Sequence, residues 1–153
     1  MLETVEVATG AGATCAIVWL HGLGADGHDF EPIAAELALP FAARFVFPHA
    51  PVRPVTINGG LPMRAWYDLA SLERGAHEDE QGIRASAALV EELIERERER
   101  GIPPARIVLG GFSQGGAIAL HVALRARAAL GGVVALSTYL PLAKSAAAEQ
   151  SAA

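Results

Sequence analysis

The stretch Ile107-Val108-Leu109-Gly110-Gly111-Phe112-Ser113-Gln114-Gly115-Gly116-Ala117 decides the fold of this chain. Ile107 to Leu109 is a short continuous apolar run, the pattern of a strand buried on both faces. From Gln114 to Arg127 the chain reads as a helix that opens with small residues. Between them stands Gly111-Phe112-Ser113-Gln114-Gly115. At ordinary glycine and serine usage a Gly-x-Ser-x-Gly arises by chance roughly 0.05 times in a chain of this length. Here it sits between strand and helix, the context that gives it chemical meaning. A sharp turn there lifts the serine Oγ above the sheet, and glycines two residues to either side let backbone crowd the turn without Cβ clashes. The following helix points its N-terminus at the reacting centre, where its dipole and free N–H groups favour developing negative charge. Ser113 is therefore the candidate nucleophile.

Working outward, Cys15 to Leu20 is a second buried strand and ends at the glycine-bearing loop His21-Gly22-Leu23-Gly24-Ala25-Asp26-Gly27. A tetrahedral oxyanion needs two N–H donors, one from the residue after the nucleophile and one from an earlier strand-to-helix loop. Gln114 and Leu23 are the candidates, with His21 ordering the loop rather than acting as a base. Val5 and Val7 suggest a half-exposed edge strand. Asp29 is placed to cap a helix with Pro32 in its first turn and Ile33 and Leu37 on one face. Arg44 to Phe47 reads as a further buried strand, and Pro51 to Asp79 as a long irregular excursion carrying two exposed aromatics, Trp66 and Tyr67. Gln81 to Arg100 is helical: Leu89, Val90, Leu93 and Ile94 form its apolar stripe, Glu92 and Arg96 a supporting pair, and the Glu/Arg run 95–100 a solvated face. Val133 to Leu136 is another strand, followed by an alanine-rich tail. Strand, helix, strand repetition implies an α/β fold with a mainly parallel sheet and helices on both faces.

These segments together resemble the phospholipase/carboxylesterase family of the α/β-hydrolase superfamily, which includes bacterial carboxylesterases and acyl-protein thioesterases. The resemblance lies in Leu20-His21-Gly22-Leu23-Gly24, Pro48-His49-Ala50-Pro51-Val52-Arg53-Pro54-Val55-Thr56, Trp66-Tyr67-Asp68, Gly110-Gly111-Phe112-Ser113-Gln114-Gly115-Gly116 and Ala135-Leu136-Ser137, and runs from about Cys15 to Leu142. It implies a Ser-His-Asp hydrolase of carboxylic esters or thioesters with no metal or organic cofactor. Ser113 is then the nucleophile, the Leu23 and Gln114 N–H groups form the oxyanion hole, and Trp66 belongs to the loop bordering the acyl-binding groove. A packing role for Trp66 is the other reading.

One departure is large. In this class acid and histidine follow the serine in chain order, each at the end of a later strand. Each further βα unit needs on the order of 30 residues. Residues 114–153 contain no aspartate, and their single histidine, His121, lies about 12 Å beyond Ser113 along the same helix. His28, His49 and His77 are upstream; His49, after a strand end, is the least implausible substitute base. The expectation is one domain over residues 1–153 lacking the family's C-terminal strands, poorly stable alone or self-associating through an exposed sheet edge. A catalytically impaired remnant serving as a binding module is the alternative.

Composition agrees with a compact fold: 52% hydrophobic, 19% charged and a net charge of −5, which gives no footprint for nucleic acid. No apolar run is long enough to cross a bilayer, and the N-terminus lacks a secretion-signal pattern. The single Cys15 cannot form an internal disulfide and suits the cytoplasm.

Overall fold

Seven strands and four helices order this chain in the computed structural model, which describes residues 1–71, 73 and 77–152. The strands are β1 (Thr4–Ala8), β2 (Cys15–Leu20), β3 (Ala43–Pro48), β4 (Val52–Val55), β5 (Leu61–Arg64), β6 (Ile107–Phe112) and β7 (Gly132–Leu136). The helices are α1 (Ile33–Glu36), α2 (Glu80–Glu99), α3 (Gln114–Arg125) and α4 (Ala143–Glu149). The main sheet has the order β1-β3-β2-β6-β7, antiparallel only where β1 meets β3. Beyond β2 the chain moves to β3 on one side and returns through β6 on the other. In open α/β sheets such a switch point opens a crevice at the carboxyl ends of the strands. The register sets Leu20 beside Gly111, which brings the loop after β2 against the turn after β6.

Alternation along the strands divides the core between two faces. Val18, Leu20, Ile107 and Leu109 pack with Ile83, Val90 and Leu93 of α2 and Ile118 and Val122 of α3. On the other face Trp19, Phe45 and Phe47 meet Ala34 and Ile33, and among the described residues the helical cover there is the single turn of α1. The rest of that face is an apolar groove of about 630 Å³ whose lining includes Ile17, Trp19, Phe41, Val108, Val134 and Leu136. Helices thus lie on both faces, very unequally.

Several local expectations need correction. Asp29 does not cap α1; it accepts the Asp26 N–H at 2.9 Å, and Pro32 stands at the N-cap. The Pro51–Asp79 excursion is not wholly irregular, since β4 and β5 form an antiparallel hairpin closed through Gly59 and Gly60, both at positive φ. Residues 72 and 74–76 of that excursion, and 153 of the tail, lie outside the described residues. Trp66 and Tyr67 are buried, not exposed.

The charged run closing α2 is only partly a solvated face. Glu97 is wholly buried and accepts from Arg44 of β3 at 2.8 Å and from Arg100 at 3.0 Å. Arg96 turns to Glu6 of β1 at 2.9 Å rather than to Glu92. The helix is thereby tied to the sheet by ion pairs formed across distant parts of the sequence.

His121 is buried on α3, and its Nδ1 has no partner among the described residues. Burial, then the Arg125 and Arg84 guanidinium groups, push its pKa down to about 4. The unfolded chain then binds a proton that the folded chain refuses between about pH 6.5 and 4, so stability falls as pH falls through that window. The full effect is up to about 3 kcal/mol. His121→Leu is expected to flatten the decline in melting temperature between pH 6.5 and 4.5; an unchanged decline would show that His121 does not drive it.

Candidate active site

Ser113 stands at the end of β6 with φ 53° and ψ −118°, a conformation that a residue with a side chain rarely adopts. Its neighbours hold it there. The Ser113 N–H donates to the Leu136 carbonyl at 2.9 Å, and its own carbonyl accepts from the Ala117 N–H at 3.1 Å and the Thr138 hydroxyl at 2.6 Å. Strand β7 therefore locks the turn as firmly as β6 and α3 do. A Cβ at Gly111 would lie 2.5 Å from the Gly115 carbonyl carbon, so the turn closes only over glycine. Ser113 is half-buried, and no hydrogen bond engages its hydroxyl among the described residues.

The loop after β2 reaches this turn. A Cβ at Gly22 would lie 3.7 Å from the Ser113 Cβ. Leu23 follows, half-buried, with no acceptor for its N–H among the described residues. Gln114 is the first residue of α3, where a backbone N–H has no partner within the helix. Leu23, Ser113 and Gln114 are thus gathered at the carboxyl ends of adjacent strands.

Trp66 holds its loop down from inside the fold. Its side chain is wholly buried and tilted against His21, ring centroids 5.4 Å apart. Its indole N–H donates to the His21 carbonyl at 2.9 Å and its backbone N–H to the Gln114 Oε1 at 2.7 Å, while its carbonyl accepts from the Ser86 hydroxyl. A ring enclosed in this way packs the loop down. Sequence reasoning missed the side chain of Gln114, which also donates from Nε2 to the Tyr67 carbonyl at 2.7 Å. A primary amide has both a donor and an acceptor to offer a passing strand, but nothing local in the sequence marks the segment 48 residues away that uses them. Gln114→Leu leaves two buried backbone groups unpaired and is expected to cost about 2–4 kcal/mol, read as a lowered urea midpoint.

His21 and His49 are engaged in holding loops. His21 Nε2 accepts the Ala50 N–H at 3.0 Å and His49 Nδ1 accepts the Gly27 N–H at 3.1 Å. His49 therefore anchors the loop to the end of β3. Beside Ser113, Phe112 is 39% exposed and meets Phe30, ring centroids 6.0 Å apart, giving an apolar strip that sequence reasoning also missed. Among the described residues no group of three or more His, Cys, Asp or Glu is placed to hold a metal ion, and no helix is long and apolar enough to cross a membrane.

Residues 3–153 match the sequence profile of the phospholipase/carboxylesterase family. The chain belongs to that family. Among relatives of this phospholipase/carboxylesterase chain, acyl-protein thioesterase 1 of Cryptococcus neoformans is 42% identical over 145 residues, covering 92% of this chain and 61% of the relative. Acyl-protein thioesterase 1 of Neurospora crassa is 41% identical, covering 84% and 56%. The crystal structure of Arabidopsis thaliana SOBER1 superposes with a TM-score of 0.83 at 34% identity, covering 90% of this chain and 68% of that one. That of Zea mays acyl-protein thioesterase 2 gives 0.82 at 33% identity, covering 100% and 69%. The chain therefore has the α/β-hydrolase fold of its family and spans about three fifths of the length of these curated relatives.

Proposed function

We propose that this chain carries the nucleophile and oxyanion hole of a serine hydrolase acting on small acyl esters or thioesters, without a metal or organic cofactor. The observation that carries the reading is Ser113 at φ 53° between β6 and α3, with the Gly22-Leu23 turn packed against it. In this reading Ser113 Oγ attacks the acyl carbonyl, and the N–H groups of Leu23 and Gln114 hold the oxyanion. The leaving alcohol or thiol departs, and water releases the acyl group from the serine. The exposed Phe112 beside Ser113 favours an apolar acyl group. Relatives bearing the name acyl-protein thioesterase support the ester or thioester class. We assign the base and orienting acid to the part of the family fold that these residues do not span. The lone Cys15 fits a reducing, cytoplasmic setting.

The test is hydrolysis of p-nitrophenyl acetate and of an S-acyl thioester by this chain and by Ser113→Ala, with mass mapping of any acyl adduct. An acetyl group on Ser113, absent from the variant, is the expected result. A second reading, a hydrolase-fold remnant that binds without turnover, is favoured by the unengaged Ser113 hydroxyl. It gains if a folded chain shows neither adduct nor hydrolysis.

A further inference from the structure

We propose that His21 is a positioning residue that aims the Leu23 N–H toward Ser113 by holding the carbonyl of Gly22; the catalytic value of that aim rests on the function proposed above. A peptide unit is planar and trans, so its C=O and N–H point in opposite directions and fixing one fixes the other. The Gly22 carbonyl and the Leu23 N–H belong to the same unit. His21 Nδ1 lies 2.7 Å from that carbonyl oxygen. The tautomer follows from the other side of the ring: the Ala50 N–H donates to Nε2 at 3.0 Å, which requires Nε2 to be bare. Nδ1 then carries the proton and donates to Gly22.

The rest of the loop is pinned around this unit. The Ala25 N–H also donates to the Gly22 carbonyl, at 3.3 Å, and the Gly24 N–H donates to the Arg64 carbonyl at 2.9 Å. The His21 carbonyl is held by the Trp66 indole. Polar groups on both sides of the Leu23 N–H are committed, while that N–H takes no acceptor among the described residues. His21 is 1% exposed, and burial holds its pKa below the usual histidine value. The nearby Asp26 and Asp29 oppose that depression and His49 adds to it, each less than burial acts. The neutral ring is the form the geometry needs, because protonation at Nε2 would set a donor against the Ala50 N–H.

Two isosteric variants separate positioning from packing. In His21→Asn the side-chain amide stands where Nδ1 stood and keeps the bond to Gly22. In His21→Gln it reaches toward Ala50 and loses Gly22. Nitrogen-detected NMR of the ¹⁵N-labelled chain is expected to show His21 protonated on Nδ1 and bare on Nε2 at pH 7. The Leu23 amide resonance is expected to stay in place in His21→Asn and to move in His21→Gln. Phosphonylation of Ser113 by a fluorophosphonate is expected to slow about 10-fold in His21→Gln and to return to within about 3-fold in His21→Asn, part of what a lost oxyanion donor costs. An Nε2-protonated tautomer, or equal displacement of Leu23 in both variants, would overturn the proposal. The tautomer decides alone if neither variant folds. The expected NMR pattern together with no phosphonylation, even in the chain fused to the family's C-terminal segment that supplies the base, would remove the hydrolase reading and leave the held peptide standing.

Discussion

Gly115→Ala is expected to destabilise this chain by about 3 kcal/mol or more and to abolish phosphonylation of Ser113. A Cβ at this position would press into the carbonyl oxygens of Leu20 and His21, well inside van der Waals contact. Both are backbone atoms at the end of a central strand, so no side chain can swing aside. Relief requires α3 to move away from β2, which opens the Ser113 turn and shifts Gln114 with it. Gly132→Ala is the control, because a Cβ there meets nothing within 4 Å. Urea unfolding should separate the two clearly; comparable midpoints would mean that α3 does not press on β2 as described.

The other large effect concerns the part of the family fold that residues 1–153 do not span. Fusing the family's C-terminal third, taken from the Cryptococcus neoformans relative, is expected to raise kcat for p-nitrophenyl acetate by about 10⁴-fold or more, since loss of a triad histidine costs a serine hydrolase up to about 10⁶-fold. If the exposed edge makes the chain self-associate, the same fusion is expected to yield a monomer. Strand β7 ends the sheet on one side, and Val133, Val134 and Leu136 are each about 40% exposed along it. Such an edge offers unpaired backbone and apolar side chains to any second chain. Light scattering and turnover should change together. A folded monomeric fusion with no gain in rate would separate the added segment from the chemistry.

What could be read from the sequence was local. The β6–Ser113–α3 turn was legible because its chemistry and its backbone demand the same few residues in a row. Strands β2, β3 and β7 were legible because buried parallel strands are continuous apolar runs. The β4–β5 hairpin was hidden by Pro54 and Pro62, which face each other in its register and read as breakers. Trp66 looked like a surface aromatic because its partners, His21 and Gln114, lie 45 and 48 residues away. Glu97 looked solvated for the same reason, since its partner Arg44 is 53 residues distant. Asp29 failed as a cap because the loop before it used the carboxylate first.

Within the site, sequence named the residue types and the structure supplied the wiring. Leu23 and Gln114 were named as backbone donors, and the fold sets them at the ends of neighbouring strands. The side-chain amide of Gln114 and the ring of His21 emerged only from contacts between segments.

Labelling by a fluorophosphonate reports whether Ser113 is the nucleophile. The chain fused to the family's C-terminal segment, which supplies the base, is expected after incubation with the probe and digestion to carry one phosphonyl group on Ser113, with none on Ser113→Ala and a sharply reduced amount on Gly115→Ala. A folded fusion that resists the probe, or that takes it on another residue, would contradict the reading of this turn as the seat of a nucleophile.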